Sequence, residues 1–105
     1  MSKFGLLGKF KVEESDRETL VEILLEAAES MVNLAECETY LVHVSNDDPN
    51  AVIVYEVWSN ESAHQASLTL EATQTLIQRA TPIIRGAERI YTLVPRGGKG
   101  SFIGS

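Results

Sequence analysis

Hydrophobic and polar residues alternate loosely along the first dozen positions of the chain. Phe4, Leu6, Phe10 and Val12 all occupy even positions. A two-residue period places successive side chains on opposite faces of an extended chain. The pattern therefore predicts a first strand over residues 3–12.

The next segment has a helical period instead. The stretch SDRE places Ser15 three residues before Glu18, which is the spacing of a capping box at a helix N-terminus. Glutamates at positions 18, 22, 26 and 29 predict a solvated face. The opposite face, which we expect to pack on the sheet, carries apolar side chains at helical spacing: Leu20, Ile23, Leu24, Ala27 and Met31.

Two stretches typical of strands follow, separated by a turn sequence. CETYLVHVS and AVIVYEVWS are rich in β-branched and aromatic residues, and NDDPN between them has the composition of a turn. Two strands joined in this way form an antiparallel hairpin. Asp47 and Asp48 are interpreted as turn residues, because no third carboxylate follows at the spacing of a metal-binding loop.

The C-terminal half begins with helical segments. We expect a short helix over residues 60–68 and a second helix from residue 71 towards residue 84, ended by Pro82 or Gly86. RIYTLVP then predicts the last strand. The domain is expected to span residues 1–95, and RGGKGSFIGS, residues 96–105, is interpreted as a glycine-rich tail.

The order of these elements is β-α-β-β-α-β, which predicts an α+β fold of the ferredoxin-like type. Helices cover only one face of such a sheet. The stretch AVIVYEVW is apolar on both faces, with Val52, Val54 and Trp58 on one side and Ile53 and Val57 on the other. The second apolar face needs a cover, so we expect a homodimer packed sheet to sheet.

The composition narrows the function classes. The chain has 105 residues, 44% of them apolar, and a net charge of -6 at pH 7, so we expect one folded domain that binds neither nucleic acid nor anionic membranes. Cys37 is the single cysteine, which excludes an internal disulfide and a thiolate-rich metal site. The N-terminus lacks the apolar core of a signal peptide, and no apolar run reaches the roughly 20 residues of a membrane span. We therefore expect a soluble, cytoplasmic protein.

The strongest candidate for chemistry is the stretch YEVWSNESAHQASL, residues 55–68. It carries the only tryptophan, Trp58, six positions before His64. A helix capped by Asn60 would turn His64 and Leu68 towards the sheet, beside the end of the strand that carries Trp58. Spacing alone leaves two interpretations open: a pocket shared by Trp58 and His64, or a core tryptophan beside an interior histidine with satisfied ring nitrogens.

This stretch resembles the E-x-W-x₅-H-x₂-S-L signature of the antibiotic biosynthesis monooxygenase (ABM) superfamily, notably its quinol monooxygenase branch. The segments FGLLGKFKV, ECETYLV, RATPIIRG and GGKG extend the resemblance over nearly the whole chain in the same order. The resemblance implies a dimeric α/β barrel of ferredoxin-like units. It also implies a monooxygenase that oxidises a small aromatic or quinol-type substrate with O₂, without flavin, haem or metal.

With this resemblance, the pocket residues are expected to have defined roles. His64 and Trp58 are the expected catalytic residues, His64 as the base that deprotonates the substrate and Trp58 as a stacking surface. Glu56 is expected to orient the imidazole, Ser67 to hydrogen-bond a substrate oxygen and Arg79 to clamp an anionic oxygen. Leu68 completes the expected substrate-binding set. No cofactor and no metal site are expected.

Several alternatives stay open. Glu56 and Arg79 would equally serve as solvent-facing side chains, and the tyrosines, including Tyr40, are expected to be packing residues. The whole protein would equally be a non-catalytic dimer that binds a small aromatic ligand, or an isomerase or lyase in which His64 moves protons without O₂. A haem-binding or haem-degrading relative is a further alternative, although the first strand lacks the asparagine of that branch's Asn–Trp–His set.

Overall fold

A computed structural model describes residues 2–100 of the chain. The strands are β1 (Phe4–Val12), β2 (Cys37–Val44), β3 (Ala51–Trp58) and β4 (Ile84–Leu93). The helices are α1 (Arg17–Ser30), α2 (Glu61–Ser67) and α3 (Glu71–Ala80), and none of these is long and apolar enough to cross a membrane. The element order, with the second helical segment divided into α2 and α3, confirms the predicted α+β ferredoxin-like fold.

The four strands form one antiparallel sheet in the order β2-β3-β1-β4. The predicted hairpin of β2 and β3 is confirmed, and Leu41 lies opposite Tyr55 in its register. Strand β1 pairs with β3 on one side and with β4 on the other, so that Leu7 lies opposite both Tyr55 and Tyr91. The helices pack against the opposite face, which carries the alternate residues of each strand, such as Val54.

Two groups of buried side chains fill the space between the sheet and the helices. The first group, which we call the packed cluster, is wholly apolar and consists of Val12, Leu20, Ile23, Leu24, Val52, Val54 and Ala80. The second group, the Trp58 cluster, consists of Ala27, Met31, Trp58 and Ala63. Helix α1 contributes to both groups, so its predicted apolar face is confirmed, and the row of glutamates opposite it is exposed.

The face of the sheet away from the helices exposes apolar side chains. Leu41, Tyr55, Leu7 and Tyr91 are register partners and form one row across all four strands, which we call the open-face row. Leu41 is 51% exposed and Tyr91 is 61% exposed. A continuous apolar row of this kind is a surface that another molecule can cover. The sheet-to-sheet homodimer stays a prediction, because the structure contains one chain.

The predicted capping box at the start of α1 is absent. A 3-10 turn over Glu14–Asp16 leads into the helix, which begins at Arg17. Its N-cap, Asp16, has a helical backbone (φ -101, ψ -4) and makes no side-chain capping hydrogen bond. A capping side chain requires an extended backbone at the N-cap. The prediction was wrong because a tight backbone turn, and not the side chain of Ser15, carries the chain into the helix.

Helix α3 is shorter than predicted, and β4 begins earlier than predicted. The helix ends at Ala80 with Thr81 as its C-cap, because Pro82 has no N–H with which to continue the helical hydrogen bonds. Gly86 is not a helix stop, since it lies within β4 opposite Lys11. Residues 96–100 of the predicted tail have neither helix nor strand, and residues 101–105 lie outside the described part of the chain.

Candidate active site

Strand β3 places a tryptophan and a carboxylate next to each other. Glu56 and Trp58 are two residues apart near the end of the strand, so both side chains extend from its helix-covered face. Trp58 is only 1% exposed. Its indole Nε1–H donates a hydrogen bond of 2.9 Å to Oε1 of Glu56. This bond satisfies the single donor of the indole inside the core and fixes the carboxyl group of Glu56 beside the ring.

Helix α2 brings a histidine to the same place. The side chain of Asn60 caps the helix by accepting a hydrogen bond of 2.8 Å from the backbone N–H of Ala63. The first turn of the helix then carries His64 back over the sheet. The imidazole centre lies 5.6 Å from the Trp58 ring, edge-on, and 5.4 Å from the Phe4 ring. The structure therefore places Trp58 and His64 at one helix–sheet interface, as their spacing suggested.

A gap separates the imidazole from the carboxyl group. His64 Nε2 lies 3.9 Å from Oε1 of Glu56, which is longer than a hydrogen bond between nitrogen and oxygen. No described residue hydrogen-bonds to either ring nitrogen of His64, although the residue is only 6% exposed. Within residues 2–100, therefore, no protein group satisfies the ring nitrogens of His64. Its ring nitrogens remain available to a hydroxyl group or a water molecule that approaches from the side of the His64–Glu56 pair.

Burial shifts the pKa of each group in the direction that favours its neutral form. Burial raises the pKa of the Glu56 carboxyl, and this outweighs the hydrogen bond from Trp58 and the charge of Arg89, which both favour the carboxylate. Burial also lowers the pKa of His64, and the charge of Arg89 adds to this effect, while Glu61 opposes it. The nearby carboxyl of Glu56 does not reverse the direction. His64 is therefore a neutral imidazole at neutral pH, with one ring nitrogen able to accept a proton.

These side chains line a cavity of about 240 Å³ between the sheet and the helices. Its walls are mainly aliphatic and aromatic, as in binding sites for small organic molecules. Three of the described residues that line the cavity are ionisable, namely Tyr40, Glu56 and His64. The described lining residues include no Lys or Arg. The remaining lining residues come from the sheet and all three helices: Phe10, Leu24, Ala27, Ser30, Met31, Trp58, Ser67, Leu68, Thr73, Leu76 and Ile77.

Most of the predicted site residues meet at this cavity. Ser67 is buried in its wall, but its hydroxyl donates a hydrogen bond of 2.5 Å to the backbone oxygen of His64. Leu68 lines the cavity while remaining 43% exposed, so it does not face fully inward as the helical pattern suggested. Arg79 lies outside the cavity, in an exposed groove between α1 and α3, where it forms an ion pair with Glu26. The structure thus brings the other predicted site residues together and leaves Arg79 apart.

Two aromatic residues belong to the site although the sequence pattern assigned neither to it. Tyr40 lies in β2 directly opposite Glu56 and lines the cavity. Phe4 lies opposite Trp58 at the start of β1 and contacts the ring of His64. Both positions depend on the register between strands, which the alternation within one strand does not specify. The location of the turn between β2 and β3 was the one signal that could have placed Tyr40 opposite Glu56.

The described residues provide neither a metal cluster nor a reactive thiol. No group of three or more His, Cys, Asp or Glu side chains among residues 2–100 could hold a metal ion. Burial raises the pKa of the Cys37 thiol to about 11, and the charge of Glu56 adds to this effect. The thiol therefore stays protonated at neutral pH, and a protonated thiol is a poor nucleophile.

Comparison with known proteins decides the family. The model of the antibiotic biosynthesis monooxygenase family matches residues 4–79 of the chain. The chain belongs to the antibiotic biosynthesis monooxygenase family. A candidate member of the family from Chloroflexus aurantiacus J-10-fl, known from a crystal structure, has 37% sequence identity to this chain. The match covers 94% of this chain and 98% of that chain, with a TM-score of 0.84. The ABM resemblance of the sequence is thereby confirmed.

More distant solved structures share the fold with this ABM family member. A candidate antibiotic biosynthesis monooxygenase from Nitrosomonas europaea has a TM-score of 0.85 at 13% identity and covers 94% of this chain and 95% of that chain. A conserved protein from Methanosarcina mazei Go1 has a TM-score of 0.81 at 12% identity, with coverage of 91% and 95%. At these identities the likeness shows the fold alone. No curated protein matches the chain.

Proposed function

We propose that this ABM family member is a cofactor-independent monooxygenase that uses O₂ to oxidise a small aromatic or quinol-type substrate. The observation that carries the proposal is the convergence of the Glu56 carboxyl, the His64 imidazole and the Trp58 indole on one mainly apolar cavity. Family membership supports the reaction type. The aromatic and aliphatic walls support a flat, hydrophobic substrate.

In the proposed reaction, His64 removes a proton from a hydroxyl group of the substrate. The hydroxyl lies beside His64 Nε2 and Glu56 Oε1 and off the line that joins them, because their separation of 3.9 Å is too short to hold an oxygen atom in between. The lowered pKa of His64 keeps the imidazole in its proton-accepting form at neutral pH. When the imidazole takes the proton, the ring becomes positively charged. The ionised form of the neighbouring Glu56 carboxyl stabilises this charge.

The substrate anion then reacts with O₂. Deprotonation makes the aromatic ring electron-rich, so it transfers an electron to O₂, and the apolar walls keep water away from the reactive intermediates. With a quinol, one oxygen atom enters the ring and the other leaves as water, giving a hydroxyquinone. The quinol supplies all the electrons that reduce O₂. Atoms and electrons therefore balance without an external reductant.

The charges around the cavity support an uncharged substrate. The described lining residues include Glu56 and no Lys or Arg, so an anionic ligand finds no counter-ion among them, and the positive charge of Arg89 acts on Glu56 and His64 from outside this lining. Moving an unpaired anion from water into an apolar site is strongly unfavourable. A neutral hydroxyaromatic compound therefore fits the site better than a carboxylate or a phosphate.

We also propose that the molecule forms a homodimer through the open-face row. The exposure of Leu41 and Tyr91 supports a second copy as the cover. Sedimentation velocity at micromolar concentration is expected to give the mass of two chains for the wild type and of one chain for Leu41→Glu. A single-chain mass for the wild type would contradict the dimer.

Oxygen uptake with menadiol tests the catalytic proposal. We expect the wild type to consume O₂ faster than menadiol oxidises spontaneously, and His64→Ala to lower the protein-dependent rate by about 10²–10⁴-fold, the usual contribution of an acid–base group. Trp58→Phe is expected to raise KM more than it lowers kcat, because phenylalanine keeps an aromatic wall. With ¹⁸O₂, mass spectrometry is expected to find one labelled oxygen atom in the quinone product and the other in water.

The matched control is the other histidine of the chain. His43→Ala is expected to keep the wild-type rate, because His43 is exposed in β2 and does not line the cavity. Equal uptake by the wild type, His64→Ala and Trp58→Phe would contradict the proposed roles. Ligand binding without any turnover would support a non-catalytic module instead, and turnover in the absence of O₂ would support an isomerase or lyase.

A further inference from the structure

Tyr40 extends from β2 to the same cavity as Glu56 and His64. It lies directly opposite Glu56 in the register of β2 and β3, so both side chains leave the sheet on its helix-covered face. The ring of Tyr40 packs against both the packed cluster and the Trp58 cluster. These contacts on two sides hold the ring in place, and the position of its hydroxyl follows from them.

The hydroxyl of Tyr40 has no hydrogen-bond partner among the described residues. In residues 2–100, the single side-chain polar atom that is both fully buried and unbonded is Oγ1 of Thr39. The hydroxyl of Tyr40 therefore keeps accessible surface, and Tyr40 is one of the residues that line the cavity. Tyrosine hydroxyls that are largely removed from water usually have a partner. A polar atom of a bound ligand would supply the missing one.

We infer that Tyr40 is a substrate-binding residue that donates a hydrogen bond to the substrate oxygen whose proton passes to His64. The inference rests on the proposed function, because it assumes a ligand with an aromatic hydroxyl group. That hydroxyl accepts a hydrogen bond from Tyr40 while it donates its own proton towards Nε2 of His64, beside Glu56. The site therefore selects ligands that carry a hydroxyl group over aromatic rings of the same shape without one.

The surroundings of Tyr40 favour a permanent donor. Burial raises the pKa of Tyr40 above its ordinary value, and the negative charges that Glu56 and Cys37 can carry add to this effect. The hydroxyl thus stays protonated over the pH range in which His64 titrates. After the substrate has lost its proton, the same hydrogen bond falls on a charged oxygen and becomes stronger. Tyr40 therefore stabilises the anion in addition to selecting the ligand.

A thermodynamic cycle with two ligands tests the contact. The probes are 1-naphthol, which has the hydroxyl group, and naphthalene, which lacks it. Trp58 is the only tryptophan and lines the cavity, so quenching of its fluorescence reports binding without turnover. We expect Tyr40→Phe to lower the ratio of the 1-naphthol affinity to the naphthalene affinity by about three- to tenfold, the usual range for one hydrogen bond.

Tyr55→Phe is the matched control, because Tyr55 belongs to the open-face row on the other side of the sheet. Its affinity ratio is expected to equal that of the wild type. An unchanged ratio in Tyr40→Phe, with normal binding of 1-naphthol by the wild type, would overturn the inference and leave the proposed function standing. Equal losses in both tyrosine variants would also overturn it. Failure of the wild type to bind 1-naphthol would overturn the inference and the proposed function together.

Discussion

The two ends of the layer between the sheet and the helices are built differently. No member of the packed cluster is more than 3% exposed, and all of its members are apolar. The Trp58 cluster adjoins a cavity of about 240 Å³ that three ionisable side chains line. Because α1 and β3 contribute to both ends, the difference comes from the side chains and not from the backbone elements. One end holds the chain folded, while the other accommodates groups that are costly to bury.

Each of the two shifted groups at the Trp58 end lowers the stability of the folded state in the pH range where that group is charged, Glu56 towards neutral pH and His64 in acid. The raised pKa of Glu56 and the lowered pKa of His64 both mean that the folded state disfavours the charged form of the group. Apolar residues of similar volume would avoid this cost. The presence of both groups beside a cavity therefore agrees with a role in binding or catalysis, which commonly comes at the expense of stability.

The largest effect on stability is expected at the packed end. Leu20 is fully buried, and Leu20→Ala is expected to lower the free energy of unfolding by about 2–5 kcal/mol, as measured by urea denaturation. The affinity of the folded fraction for 1-naphthol is expected to stay unchanged, because Leu20 does not line the cavity. A parallel loss of affinity would break the distinction between the two ends.

A smaller effect of the opposite sign is expected at the Trp58 end. Glu56→Gln is expected to raise the free energy of unfolding at neutral pH, on the order of 1 kcal/mol. The amide still accepts the hydrogen bond from Trp58 but has no charge to bury. Because the pKa of Glu56 is raised from 4.5 in the folded state, the wild type loses stability as the pH rises from this ordinary value through the raised one.

The stability gain of Glu56→Gln should therefore be present at neutral pH and disappear in acid, where the carboxyl of the wild type is protonated in both the folded and unfolded states. Urea denaturation of both proteins at about pH 4 and about pH 7 measures this difference. A loss of stability at neutral pH would contradict the assignment, because it would make Glu56 a stabilising residue like those of the packed cluster.

The smallest effect is expected outside both ends. The side chain of Arg79 is 47% exposed, and its ion pair with Glu26 joins α1 to α3 at the surface. Exposed ion pairs of this kind usually contribute about 0–1 kcal/mol. Arg79→Gln is therefore expected to change the free energy of unfolding by less than about 1 kcal/mol and to leave the affinity for 1-naphthol unchanged. A marked loss of affinity would extend the binding site to Arg79, as the sequence pattern predicted.

The elements with a strong local period could be predicted from the sequence. Helix α1 repeats its apolar positions over its whole length, and the β2–β3 hairpin combines two β-rich stretches with clear turn residues. The ends of elements were harder to predict because a single residue or turn decides them. Pro82 stops α3 although apolar residues continue at helical spacing beyond it. At the start of α1, a 3-10 turn takes the place that a capping serine would otherwise have filled.

Within the candidate site, the contacts between residues close in sequence were the predictable ones. Trp58 and His64 are joined by a short connection, so their meeting depends only on where the strand ends and the helix begins. Tyr40 reaches the site through strand pairing, which the sequence pattern leaves undefined. The direction in which Arg79 points depends on how α3 is rotated about its axis. The apolar pattern of α3 specifies this rotation weakly, because Ala80 is the only buried residue of that helix.

The connection between β3 and α2 restricts how such a site can diversify. Only Ser59 and Asn60 separate the strand from the helix. Each residue advances a helix by about 100° around its axis. If α2 keeps its position, one inserted residue would therefore rotate His64 out of the cavity. Most loops tolerate insertions, but the length of this loop determines on which side of α2 the imidazole of His64 lies. New substrate shapes would have to come from other walls, such as the cavity-facing side of α3, while this connection keeps its length.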